Sequence, residues 1–246
     1  MITPLISSVL AGTRVVVLGG SGGLGLATAQ AAAADGAHVV IVSSNQERIN
    51  RALAELPAGS EGHAVNLTDE TQVEQFFAQL GAFDHLVFSA GEALQLSEVA
   101  NTTLQAMRQT FELRYFGTLA AVKYATPHLR SGGSIVLTSG IASLRPGKGW
   151  AVAASICGAI EALTRALAVE LAPIRVNAVV PGVVKTDIWA SLPVADREAM
   201  YAGLAQTLPV GKVAEAGAVA QTYLYLLRQP FNTGQTVVVD GGAVLV

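Results

Sequence analysis

A chain of 246 residues that is 51% hydrophobic and only 13% charged is long enough to bury about three quarters of its unfolded surface in a single α/β domain without a staple. A net charge of −3 with no basic block makes nucleic acid and anionic membrane unexpected partners. The lone Cys157 excludes an internal disulfide, and His38, His63, His85 and His128 are too scattered for metal-ligand spacing, so no metal is expected. The first ten residues are mildly apolar but the first positive charge is Arg14, so no signal peptide is read there. No run looks long and apolar enough to span a bilayer, and the cytoplasm is the expected location.

Short β-branched runs alternate with longer Ala- and Leu-rich segments. The runs predict strands at Arg14–Leu18, His38–Val42, Gly62–Val65, His85–Ser89, Ser134–Thr138, Arg175–Val179 and Thr236–Val239. Between them, Leu24–Ala34, Gln46–Leu56 and Glu70–Leu80 have helical composition. The two longest helical stretches are Leu104–Leu129, disturbed near its end by Pro127, and Trp150–Leu171. Near-continuous apolar strands alternating with helices predict one domain over residues 1–246. Its expected fold is an α/β, Rossmann-type, doubly wound parallel sheet of about seven strands in three α/β/α layers. From 185 to 212 the pattern loosens, with Pro193 and Pro209 as breakers. That region follows a strand end, where substrates sit in open α/β sheets, and reads either as a substrate lid or as a surface excursion with one helix.

The first strand runs into Gly19-Gly20-Ser21-Gly22-Gly23-Leu24-Gly25, and a helix follows. Glycines permit the tight turn and let main chain approach a pyrophosphate, and the helix N-terminus offers it N–H groups and partial positive charge. A glycine pattern alone is a weak signal, but strand before and helix after strengthen it. An acidic residue closing the second strand would grip a ribose 2′-hydroxyl and favour NAD. Here stand Ser43, Ser44 and Asn45, with Arg48 nearby, so a 2′-phosphate is not repelled and NADP(H) is favoured. The same three residues also suit a helix cap.

Together these features resemble the short-chain dehydrogenase/reductase family from Arg14 to the C-terminus. The loop is similar to the family's TGxxxGxG, with Leu18 in place of threonine and Gly19, Gly23 and Gly25 matching. Asn66-Leu67 is similar to the Asp-Val/Leu pair that touches adenine, and Phe88-Ser89-Ala90-Gly91 to the NNAG motif with both asparagines changed. Pro181-Gly182, Val184 and Thr186 match the segment that holds the nicotinamide carboxamide, and Thr233 through Gly242 the closing strand motif. The resemblance implies strand order 3-2-1-4-5-6-7 and a homodimer or homotetramer.

Family members usually act through an Asn-Ser-Tyr-Lys tetrad, and here every position differs. By its neighbours, Arg114 stands at the asparagine, Gly140 at the serine with Ser139 just before it, Ala153 at the tyrosine and Cys157 at the lysine. No tyrosine lies between Tyr124 and Tyr201, so a register slip does not restore the motif. Hydride reduction of a ketone makes an alkoxide that needs a proton or an oxyanion donor, and Ala153 supplies neither. Three residues are candidates at the reaction centre. Arg114 is read as an electrostatic or anchoring group, or equally as a structural salt bridge. Ser139 is read as a hydrogen-bond donor or a backbone partner. Trp150, three residues before Ala153 on the same helix face, walls the hollow or simply packs. The sequence therefore supports an NADP(H)-dependent reductase of an imine, iminium or carbonyl compound. Glu92, or the substrate's own acid, would be needed to neutralise Arg114 beside a cation. A silent NADP(H)-binding sensor or partner subunit, and a non-redox isomerase or cyclase, are the alternatives.

Overall fold

The consecutive valines of β1 (Arg14–Leu18) are buried on both faces, as a central parallel strand requires. This computed structural model describes residues 10–94 and 96–246; the start of the chain, read above as lacking a leader, lies outside the described residues up to residue 9. After β1 come α1 (Gly23–Ala34), β2 (His38–Ser43), α2 (Gln46–Ala54), β3 (Glu61–Ala64), α3 (Glu70–Leu80) and β4 (Phe83–Phe88). The second half runs α4 (Leu104–Phe111), α5 (Thr118–Ala125), β5 (Leu129–Thr138), α6 (Ala151–Glu170) and β6 (Arg175–Pro181). Then follow a two-residue β7 (Val184–Lys185), α7 (Val194–Thr207), a two-residue β8 (Ala214–Glu215), α8 (Ala216–Arg228) and β9 (Thr236–Val239).

Seven strands form one parallel sheet in the order β3-β2-β1-β4-β5-β6-β9. This is the expected order, because β9 is the seventh strand of that sheet while β7 and β8 pair only with each other. One sheet face packs Phe77, Leu86 and Ile135 with α3, α5 and α6; the other packs Val17, Ile41 and Val136 with α1, α2 and α8. Strand order reverses between β1 and β4, which opens a crevice at their carboxyl ends.

Local chemistry sets the helix ends. The Asp69 carboxylate accepts from Thr71 N at 3.0 Å and Gln72 N at 3.2 Å to start α3. Its Val73, Phe76, Phe77 and Leu80 form the buried stripe. Leu104–Leu129, expected from composition to be one helical stretch, is broken. A π-helical stretch over Glu112–Gly117 separates α4 from α5, and a 3₁₀ turn over Thr126–His128 carries Pro127. Pro127 has no N–H to continue the ladder, and β5 begins at Leu129, earlier than expected. The π stretch ends at Gly117, where a Cβ would stand 2.9 Å from Leu67 O, so the helix leans on the strand-end loop that carries Leu67.

One further expectation needs correction. At 20 residues α6 is long and apolar enough, by length and composition alone, to cross a membrane. It lies instead as one layer of the sandwich, burying Ile156, Ile160, Thr164, Leu167 and Ala168 against the sheet.

Candidate active site

The turn after β1 is shaped by the absence of side chains. Gly19 has φ +86°, and a Cβ there would stand 2.5 Å from Ala90 N, so only glycine fits between β1 and the chain leaving β4. Gly25 lies inside α1, where a Cβ would press on Gly19 O and sit 2.5 Å from Ser89 Oγ. Its part is to let α1 approach the sheet, and it does not line the crevice. No side chain caps the first turn of α1. That leaves first-turn amides and the positive helix end facing the loop, the arrangement a pyrophosphate needs.

The crevice holds about 630 Å³. Gly19, Ser21, Gly22, Gly23 and Leu24 form its floor, with Ser43, Ser44 and Arg48 at one end. Asn45 is outside the lining: its side-chain oxygen accepts from Arg48 N at 2.9 Å and caps α2. Asn66 and Leu67 line the middle. Asn66 Oδ1 already accepts from Thr68 N and Thr68 Oγ1, at 3.1 and 2.8 Å, so its amide N–H groups are what it has left to offer a ligand. Arg48 Nη2 pairs with Asp187 Oδ2 at 3.1 Å across the mouth, and both side chains are exposed. Ala90, Gly91, Pro181 and Thr186 line the far end. Gly182 and Val184 do not: a Cβ at Gly182 would stand 2.8 Å from Asp240 Cα, and the Val184 side chain is buried while its carbonyl accepts from Trp189 Nε1 at 3.1 Å.

Beyond Ala90 the crevice widens into a hollow where α4, the π stretch and α6 meet, with Arg114, Ala153 and Cys157 on its walls. Arg114 projects from the π stretch, and its guanidinium lies on Gly91, where a Cβ would stand 2.7 Å from Nη1. Its Nη2 donates to the Glu92 carbonyl and its Nε lies 3.3 Å from Glu92 Oε2. Arg114 is therefore a partner of Glu92, and both face the hollow.

Ser139 also lines the hollow. Its hydroxyl has two acceptors, Cys157 O at 3.1 Å and Glu161 Oε1 at 2.9 Å. Ser143 likewise faces Gly140 O and the same Glu161 oxygen. Sequence reasoning did not single out Ser143 or Glu161. The available signal was an acid one turn after Cys157, the first charged residue of a largely apolar helix. Burial holds the Cys157 thiol above the usual cysteine range, so it stands as a neutral side chain near pH 7.

Trp150 is not part of the lining. Its ring packs against Trp189, with centroids 6.5 Å apart, in a cluster with Leu94, Ile188, Leu192 and Leu204. That cluster joins the 186–213 excursion to the chain after β4. Leu94 N donates to Ile188 O at 2.7 Å, and Ser191 Oγ donates to Leu94 O at 2.8 Å. At its base β7 pairs with β8, and Lys185 bridges Glu215 at 2.8 Å. Among the described residues, no tyrosine or lysine lines the crevice.

A doubly wound sheet with a glycine-floored crevice at its switch point, ending at an uncapped helix N-terminus, defines a Rossmann-type dinucleotide-binding protein. The family model described as enoyl-(acyl carrier protein) reductase matches residues 19–244. The chain is 38% identical to the short-chain dehydrogenase/reductase ATR9 of Stachybotrys chlorohalonatus, covering 95% of this chain and 98% of that one. A solved small-chain dehydrogenase in complex with NADPH superposes with TM-score 0.85 at 36% identity, covering 95% and 99% of the two chains. The MalC reductase/Diels-Alderase of Malbranchea aurantiaca superposes with TM-score 0.89 at 26% identity, covering 97% and 98%. The chain belongs to the short-chain dehydrogenase/reductase family, and so to the oxidoreductases that use a nicotinamide cofactor.

Proposed function

We propose that the protein is an atypical NADPH-dependent reductase that adds hydride to a cationic carbon–nitrogen double bond. The observation that carries this reading is the hollow itself. The positions aligned with the family's tyrosine and lysine hold Ala153 and Cys157, and no other tyrosine or lysine among the described residues lines it. A carbonyl substrate would develop an alkoxide there with no tyrosine to protonate it. An iminium ion needs no such proton, because hydride addition at its carbon gives a neutral amine directly. The Arg114–Glu92 pair supports the same reading. Arg114 alone would repel a cation, but with Glu92 beside it the wall is close to neutral.

A bound nicotinamide supplies the hydride. The residues here do the rest: the glycine floor and α1 hold the pyrophosphate, while Pro181 and Thr186 bound the nicotinamide end. The excursion over 186–213 covers the hollow as a lid. Ser43, Ser44 and Arg48 favour the 2′-phosphate, since no acid stands among them and the exposed Arg48–Asp187 pair yields Arg48 at little cost. The relative that is both reductase and Diels-Alderase lends support to a pocket that shapes its substrate as well as reducing it. We also infer a homodimer or homotetramer, in which the exposed Ala162, Ala166 and Val169 face of α6 is covered by a second copy.

The test uses NADPH carrying deuterium at the transferable position, offered with cyclic imines, ketones and enones. Label at the former imine carbon is the expected result. NADPH binding without transfer to any substrate would sink the reading in favour of a nucleotide sensor. Product without cofactor turnover would favour an isomerase or cyclase.

A further inference from the structure

We infer that Glu161 sets the polarity of the hollow: by accepting the hydrogen bond of the Ser139 hydroxyl, it makes that wall an acceptor for an N–H donor on the ligand. This rests on the iminium reading above and names the groups that would recognise the nitrogen. A serine hydroxyl has one hydrogen and two lone pairs. Both groups that face the Ser139 hydrogen, Cys157 O and Glu161 Oε1, are acceptors. Whichever takes it, the hydrogen points into the protein and a lone pair is left for the crevice that Ser139 lines. Ser143 reinforces the arrangement, because its own hydrogen is claimed by Gly140 O or by Glu161. It has no hydrogen to return to Ser139. A ketone or alkoxide oxygen presented to this wall meets lone pair against lone pair, whereas an iminium or ammonium N–H meets an acceptor backed by a carboxylate. Glu161 does not itself line the crevice, so it is a positioning residue acting through Ser139. Arg114 and Glu92, which also line the crevice, are paired with each other, so discrimination between donor and acceptor ligands falls to Ser139.

The experiment is calorimetry on the NADP⁺-loaded full-length protein with two shape-matched probes, a protonated cyclic amine and the corresponding cyclic ketone. Wild type should bind the amine more tightly. Glu161→Gln removes the carboxylate charge behind Ser139 and brings an amide N–H₂ that competes with the ligand for the Ser139 lone pairs, while Cys157 O can keep the Ser139 hydrogen. It should lower the amine-to-ketone affinity ratio about tenfold or more, the scale of one charge-assisted hydrogen bond. Ser139→Ala should remove the preference for either probe, and Glu161→Asp should restore part of it. Thermal melts of each variant guard against misfolding, and Ser139→Ala, which only deletes an oxygen, keeps the test open if Glu161→Gln does not fold. The idea fails if wild type prefers the ketone or binds neither probe, or if Glu161→Gln and Ser139→Ala both keep the wild-type ratio. Amine preference without deuteride transfer to any imine would leave this inference standing and sink the reductase reading alone.

Discussion

His85 and Ser134 face each other at paired positions on β4 and β5, with Nδ1 and Oγ 2.9 Å apart, and Arg175 occupies the next position on β6. Burial, aided by the Arg175 charge, lowers the His85 pKa to about 4. In the unfolded chain a histidine titrates near 6.5, so the unfolded state binds the proton more tightly. Stability should be constant above about pH 6.5 and fall as the pH drops towards 4, by about 3 kcal/mol from this residue. Urea melts of wild type and His85→Gln between pH 4 and 7 check this: the variant should lose the part of the acid slope that His85 contributes. At the nucleotide end, Arg48→Ala should weaken NADPH binding about tenfold while leaving NADH within about twofold, since one charged contact to the 2′-phosphate is lost; equal losses for both nucleotides would exclude that role. Gly25→Ala should cost about 1–3 kcal/mol and weaken both nucleotides, because its Cβ pushes α1 off Gly19. Gly19 to Leu24 could be read from sequence because glycines between a strand and a helix have few other uses. Glu161 and the orientation of Ser139 could not, because they depend on two hydroxyls from the β5 end meeting one turn of α6.

Elements differ in how strongly sequence determines them. β1 and β9 match their expected ranges and α3 its own, since each is a bounded apolar run with a turn residue or cap at its edge. The stretch over 104–129 reads as one helix because composition does not report a π turn. That turn comes from the helix leaning on Leu67 through Gly117, a tertiary contact. Gly117→Ala should therefore tilt Arg114 as well as loosen Leu67, and an unchanged NADPH affinity together with unchanged substrate KM would rule this out. The excursion over 186–213 is bound to the chain after β4 by the two Leu94 bonds and to the start of α6 by the Trp150–Trp189 packing. Trp189→Ala should cost about 3–5 kcal/mol locally, as removal of a buried aromatic does. It should raise protease sensitivity near residues 186–213 before the global melt. Cleavage that appears only at the global transition would mean the excursion is no separable cover.

At the scale of the molecule, the layer structure follows from alternating β-branched and Ala/Leu-rich runs, a pattern that admits few other packings, whereas the strand order comes from the family resemblance. The apolar face of α6 did not stand out, because a chain that is 51% hydrophobic gives little contrast between an inner and an outer face. Its exposed Ala162, Ala166 and Val169 should make Ala162→Arg lower the sedimentation coefficient towards that of a monomer without altering the melt of the sheet. The mooring of the 186–213 excursion beside the crevice has its own consequence. Both bonds that fasten it at residue 94 use the main-chain N–H and C=O of Leu94, one of them to another main-chain carbonyl. The mooring itself is thus indifferent to which side chain stands at 94, and the packing of Leu94 on the Trp189 cluster asks only that it be apolar: a bulkier or flatter apolar residue there can re-cut the crevice wall while the excursion stays tied.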